Sequence, residues 1–160
     1  MEEISSVVRR ENPDFARLEG DLHVTLSRTA YLRGFQIDAF VRQVSEALEG
    51  QGRFQVHFTT PETYVNDEGT RHFMGLATMS QSNRLNTLKD LMDTVFSRNG
   101  FLRYYADAKF HVSVGWQLGE FSPATLPALH SLASRIQVQS FPVDVVHLKI
   151  GNRIHKIPLR

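Results

Sequence analysis

Two tripeptides, His23-Val24-Thr25 and His111-Val112-Ser113, repeat one pattern, each inside a stretch of alternating apolar and polar residues. In the first stretch Leu22, Val24 and Leu26 alternate with His23, Thr25 and Ser27. In the second, Phe110, Val112 and Val114 alternate with His111, Ser113 and Gly115. Period-two alternation reads as a half-buried strand, so two strands are expected here. Side chains two apart on a strand point the same way, roughly 6.6 Å from each other, and each strand therefore offers an imidazole and a hydroxyl on its polar face.

The rest of the pattern is mixed. Ile37, Phe40, Val41, Val44 and Leu48 recur at helical spacing before Gly50, which predicts a helix from about Gln36 to Glu49. Phe54, Val56 and Phe58 alternate as a strand, Tyr64-Val65 begins another, and Asn66-Asp67-Glu68-Gly69 turns the chain into a run from Arg71 to Met79. Leu85, Leu88, Leu91, Met92, Val95 and Phe96 form the stripe of a second helix, capped by Ser82 and ended by Asn99-Gly100. Ser122-Pro123 opens a third helix running to about Ser134, and Phe141–Lys149 and Arg153–Leu159 close the chain as a hairpin through Gly151-Asn152. A histidine strand, a helix and further strands thus occur twice. The fold class is α+β, internally duplicated, with the two halves as lobes of a single domain over residues 1–160 and residues 1–20 as a flexible lead-in.

Composition removes several functions. The chain has no cysteine, which excludes disulfides, thiolate metal sites and a cysteine nucleophile. A net charge of +1 from 18 basic and 17 acidic side chains means that an anionic partner must be drawn by a local patch. Residues 1–10 have no apolar run of the kind a secretory signal needs, and no stretch reads as a membrane span.

Histidine, with an unperturbed pKa of about 6.5, accepts or donates a proton near neutral pH, and two of them do both at once. Cleaving an RNA phosphodiester requires one group to take the 2′-hydroxyl proton and another to protonate the departing 5′ oxygen, while donors steady charge on the phosphoryl oxygens. His23 and His111 fit the first two tasks, Thr25 and Ser113 the third. The bland reading is that a strand histidine is a surface or hydrogen-bonded residue; two matched copies outweigh it. A zinc site is the other sharp reading, but without cysteine or a well-spaced carboxylate its ligand sphere stays incomplete. No metal and no cofactor is expected. His72, His130, His147 and His155 have no hydroxyl two residues on, and these four, with His57, which has Thr59 in that place, are assigned surface or structural roles. Trp116 is assigned to the core. Tyr105 lies in a polar loop six positions before His111, where its ring is placed to stack on a nucleobase, core packing being the rival. Arg28, Arg33, Arg103 and Lys109 are candidate phosphate contacts, with a solvated face at equal odds.

These motifs carry a resemblance. The stretches Leu22-His23-Val24-Thr25-Leu26-Ser27, Tyr31-Leu32-Arg33, Phe73-Met74-Gly75-Leu76, Tyr105 through Trp116, Gly151-Asn152 and Ile157-Pro158-Leu159 are similar to those of the 2H phosphoesterase superfamily, and within it to the U6 snRNA phosphodiesterase family. The resemblance implies a two-lobed 2H phosphoesterase-like fold with antiparallel sheets lining a central cleft and helices outside. It implies a metal-independent 3′-to-5′ exoribonuclease that trims the uridine-rich 3′ tail of U6 snRNA by transesterification and leaves a 2′,3′-cyclic phosphate or its hydrolysed end. It makes His23 and His111 the catalytic pair, Thr25 and Ser113 the phosphate-binding hydroxyls and Tyr105 the base-stacking ring. Thr25 stands where relatives commonly carry serine. A monomer acting on a single-stranded RNA 3′ end in the nucleus, away from membranes, completes the expectation, with His111 favoured as base and His23 as acid. The alternatives are another 2H activity, on 2′,3′-cyclic or 2′,5′ linkages, and a non-catalytic module that holds an RNA 3′ end.

Overall fold

The computed structural model describes residues 2–79, 83–133 and 139–160. In chain order the elements are α1 (Glu2–Glu11), β1 (Ala16–Arg17), a 3₁₀ turn (Gly34–Gln36), α2 (Ile37–Leu48), β2 (Phe54–Val65), β3 (Arg71–Thr78), α3 (Asn83–Arg98), β4 (His111–Leu118), α4 (Thr125–Ala133), β5 (Gln139–Val143), β6 (Val145–Ile150) and β7 (Arg153–Pro158). Antiparallel sheets with helices make the chain α+β, as expected. It divides into two compact units, Met1–Thr25 with His57–Ser80 and Lys109–Gln139, and Leu26–Val56 with Gln81–Ala108 and Ser140–Arg160. The units are therefore not the two halves of the chain, because each interleaves three segments, and both histidine motifs fall in the first.

In the first unit the strand order is β1-β4-β3-β2, antiparallel throughout. Its core is Ile4, Val8, Phe15, Met74, Val114 and Leu129. Residues 2–11, expected as part of a flexible lead-in, form a helix because Ile4 and Val8, four apart, bury one face. Glu2 and Glu3 in its first turn and Arg9 and Arg10 in its last favour the helix dipole. Asn12 ties the end of α1 to the start of α4: its Nδ2 donates to the Val8 carbonyl at 2.9 Å and to Thr125 Oγ1 at 2.8 Å, while its Oδ1 accepts from the Ser122 amide at 2.8 Å. The α4 helix begins at Thr125, two residues beyond the expected Pro123, a normal boundary difference. Ser82 and Ser134, expected as a cap and a helix end, lie outside the described residues.

The two strands expected around Phe58 and Tyr64 are one, β2, which absorbs a register shift between Phe58 and Pro61. A bulge is where a sheet tolerates proline, and it lets one strand look like two in the sequence. The stretch expected as a single strand from Phe141 to Lys149 is instead β5 and β6, interrupted at Asp144, whose carbonyl accepts from the Leu159 amide at 2.8 Å.

The second unit is built on α2 and α3, whose stripes appear as the spacing predicts. Phe40, Val44 and Leu48 of α2 pack with Leu88, Met92, Val95 and Phe96 of α3 and with Val146, Ile157 and Leu159. Phe40, Phe96 and Phe101 meet edge-to-face at 5.6–5.9 Å. The β6–β7 hairpin pairs Val146 with Ile157, as expected from the turn at Gly151-Asn152.

One contact in the first unit is tight enough to test. A Cβ at Gly115, in β4, would press on the Phe15 ring and lie 2.5 Å from the Ala16 carbonyl oxygen. Gly115→Ala should lower the urea midpoint at unchanged m, a loss of about 1–3 kcal/mol typical of overpacking.

Candidate active site

The second histidine motif lies on β4, where burial alternates: Val112 and Val114 are buried and His111 and Ser113 half-buried. The first motif is not a strand. Val24 makes a single antiparallel bridge to Val112, and the residues around it have no further ladder pairing. That one bridge is sufficient to set the geometry. With Val24 opposite Val112 in antiparallel sense, His23 lies on the Ser113 side of the bridge and Thr25 on the His111 side. The two valines point to one side and these four to the other. Each imidazole is thus beside the hydroxyl of the other motif, in a two-by-two arrangement on the open face of the sheet.

Both rings are anchored alike. His111 Nδ1 lies 2.7 Å from the Lys109 carbonyl, and His23 Nδ1 lies 3.2 Å from the Asp21 carbonyl. A carbonyl only accepts, so Nδ1 carries the proton in each neutral ring and Nε2 carries the lone pair. The environments differ. His23 is exposed, whereas burial holds the His111 pKa below its usual value; the Lys109 carbonyl and the Glu62 carboxylate push it back up, and the His23 charge lowers it further.

Three residues near His111 have no role assigned to them by the sequence motifs. The Tyr64 ring stacks on the His111 imidazole with centroids 3.6 Å apart and planes 12° apart. Glu62 is two residues earlier on β2 and so on the same face. Gly75, paired with Glu62 on one side and Ser113 on the other, leaves room for the stack: a Cβ there would lie 2.7 Å from the Val112 carbonyl oxygen, 3.1 Å from Tyr64 and 3.3 Å from His111. The alternation of Glu62 and Tyr64 was visible in the sequence, but the apparent break at Pro61 hid their common strand. Among the described residues no group of three histidine, aspartate or glutamate side chains is placed to hold a metal ion.

Tyr105 belongs to the second unit. The Arg28 guanidinium sits 4.0 Å over its ring, the Tyr104 ring meets it edge-on at 5.0 Å, and it is 40% exposed. Its loop is pinned. Arg28 Nε donates to the Arg103 carbonyl at 3.1 Å, Arg103 Nε donates to Ser97 Oγ at 2.9 Å, and the Tyr104 amide donates to Asp93 Oδ1 at 2.6 Å. Asp93 is itself held by the buried Lys89 at 2.9 Å. Trp116, expected in the core, is half-exposed with the Arg71 guanidinium 4.7 Å over its ring, because the register shift at Met74/Gly75 turns it to the open face. His57, His130 and His147 are exposed, and His72 and His155 half-buried.

A family model described as "HVSL: Uncharacterised conserved protein" matches residues 3–158. The chain is 30% identical over 136 residues to the U6 snRNA phosphodiesterase 1 of Drosophila melanogaster, covering 82% of this chain and 53% of that protein. It spans about half the length of that relative. Among solved structures, Kluyveromyces marxianus Usb1 with uridine monophosphate superposes at a TM-score of 0.67 with 15% identity, over 99% of this chain and 91% of that one. Escherichia coli LigT complexed with 3′-AMP superposes at 0.58 with 17% identity, over 99% and 89%. These likenesses show a shared fold.

The lowered pKa of His111 has a sign that can be checked. The folded state binds its proton less readily than the unfolded chain, so the contribution to stability is full above about pH 6.5 and is lost as the pH falls through and below that value. Urea midpoints measured from pH 7.5 to 5 should fall more steeply for the parent protein than for His111→Gln.

Proposed function

The chain belongs to the HVSL family, and from that membership and the paired motifs we propose that it is a metal-independent 3′-to-5′ exoribonuclease that cleaves RNA by transesterification. The observation that carries this reading is the Val24–Val112 bridge, which gives two imidazoles and two hydroxyls one face. In the reaction, Nε2 of neutral His111 takes the proton of a 2′-hydroxyl, and that oxygen attacks the adjacent phosphorus. The bond to the 5′ oxygen of the departing nucleotide breaks as His23, protonated, donates to it. The retained RNA ends in a 2′,3′-cyclic phosphate. Thr25 and Ser113 donate to the non-bridging oxygens, where charge accumulates.

The roles follow the environments. A base must be unprotonated at working pH, and burial favours the neutral form of His111; an acid must be replenished by solvent protons, and His23 is exposed. The substrate is a single-stranded, uridine-rich RNA 3′ end of the U6 snRNA kind. The name of the fruit-fly relative and the uridine monophosphate in the yeast structure support that choice. Tyr105, its ring backed by Arg28, stacks on the terminal base. The protein works as a monomer in the nucleus, with both units forming one functional domain; the single family match across residues 3–158 supports the last point.

A time course on 5′-labelled oligouridine in EDTA tests this directly. The oligomer with a free 3′ cis-diol should lose 3′ nucleotides while the same oligomer ending in a 3′-phosphate resists. Cleavage of neither, with binding intact, would sink the assignment, and opening of a 2′,3′-cyclic uridine phosphate instead would move it to another 2H activity. His23→Ala and His111→Ala should each lower kcat by about 10²–10⁴ while remaining folded. Ser113→Ala should cost about 10²–10³ if its donor meets the developing charge, and Thr25→Ser, which keeps the hydroxyl, should remain active.

A further inference from the structure

The two motifs are nearly equivalent about the Val24–Val112 bridge: each histidine bonds through Nδ1 to the carbonyl two residues before it, and each faces a hydroxyl. A symmetric pair has no reason to divide the work of acid and base. The surroundings break the symmetry: His23 is exposed and outside any strand, whereas His111 is half-buried on β4 with Tyr64 covering one face of its imidazole. Rings stacked with centroids 3.6 Å apart exclude water from that face and restrict rotation of the imidazole about its Cβ–Cγ bond. The sheet is shaped for this contact: β3 has Gly75 where any larger residue would push into both rings.

Resting on the function proposed above, we propose that Tyr64 is a positioning residue that makes His111 the proton acceptor of the pair. It holds the imidazole plane so that, with Nδ1 bonded to the Lys109 carbonyl, Nε2 is presented at a constant angle to the face shared with Thr25 and Ser113. It also keeps water off the ring, so that the neutral form persists where an exposed imidazole would protonate. Tyr64 is not itself a base: burial, reinforced by the Glu62 carboxylate, keeps its hydroxyl protonated at any working pH. The charged groups acting on His111 are Glu62 from β2 and His23 across the bridge; β3 contributes only Ala77 and Gly75 beside it. Glu62 opposes Tyr64, because its carboxylate stabilises the imidazolium. The same strand therefore carries one residue that pushes the proton off His111 and one that draws it back.

Two substitutions on β2 should consequently move His111 in opposite directions. Histidine titrations by NMR on the full chain, without RNA, read each ring separately, and the acidic limb of kcat/KM on oligouridine reads the kinetic counterpart. Tyr64→Leu should raise the His111 midpoint towards about 6.5, move the acidic limb up with it, and lower kcat about tenfold to a hundredfold through misplacement, with KM nearly unchanged. Glu62→Gln should move both lower, and Tyr64→Phe, which keeps the ring, should match the parent. Should Tyr64→Leu not fold, the parent protein still decides: its His111 ring protons must be displaced upfield of those of His23 by the tyrosine ring current. A Tyr64→Leu protein with the parent's His111 midpoint and acidic limb, or the absence of that upfield displacement, overturns the proposal. A midpoint that moves as expected in a protein that cleaves no RNA supports the stack and overturns the RNA-cleaving reading alone.

Discussion

The site depends on one backbone contact, the antiparallel bridge between Val24 and Val112. Neither motif has much meaning alone. A strand histidine with a hydroxyl two residues away is a common surface pattern, and the first motif is not even in a strand. Joined at the central valines, the same six residues give two proton-transfer groups and two hydrogen-bond donors on one face, with each imidazole across from the other motif's hydroxyl. The arrangement follows from antiparallel geometry, in which the partners of i and j are followed by i−1 with j+1 and i+1 with j−1.

What makes so slight a bridge sufficient is the rigidity of its partner. β4 lies between β3 and β1, and its buried Val114 packs in one cluster with Ile4 and Val8 of α1 and Leu129 of α4. Two glycines at close approaches let that strand pack: Gly115 against Phe15 and the Ala16 carbonyl, and Gly75 under the Tyr64–His111 stack. A close-packed sheet holds His111 and Ser113 within a small range of positions. The first motif, by contrast, is exposed at His23 and Thr25 and bridged once.

Several elements could be read directly because their signals are local. The stripes of α2 and α3 follow from apolar residues at helical spacing, the β6–β7 turn from Gly151-Asn152, and the strand character of β4 from its alternation. Where reading failed, the deciding contacts were distant. The α1 helix buries just two apolar side chains, Ile4 and Val8, and their partner Leu129 comes from the far end of the same unit. Pro61 makes β2 look like two strands until the bulge is seen. Trp116 resembles a core residue by type, and only the register shift at Met74/Gly75 turns it outward, under Arg71.

By itself the sequence determined the chemical inventory: two imidazoles, two hydroxyls, no thiol, and the local periodicities that make strands and helices around them. Residue type and spacing decide those, since backbone geometry assigns side chains to faces over a few residues. The tertiary structure decided which of these groups meet and how they differ. Pairing Val24 with Val112 spans 88 positions of chain, and stacking Tyr64 on His111 spans 47, so neither leaves a periodic trace. Two motifs that are interchangeable as strings became unequal because one imidazole was covered by an aromatic ring and the other was left in water.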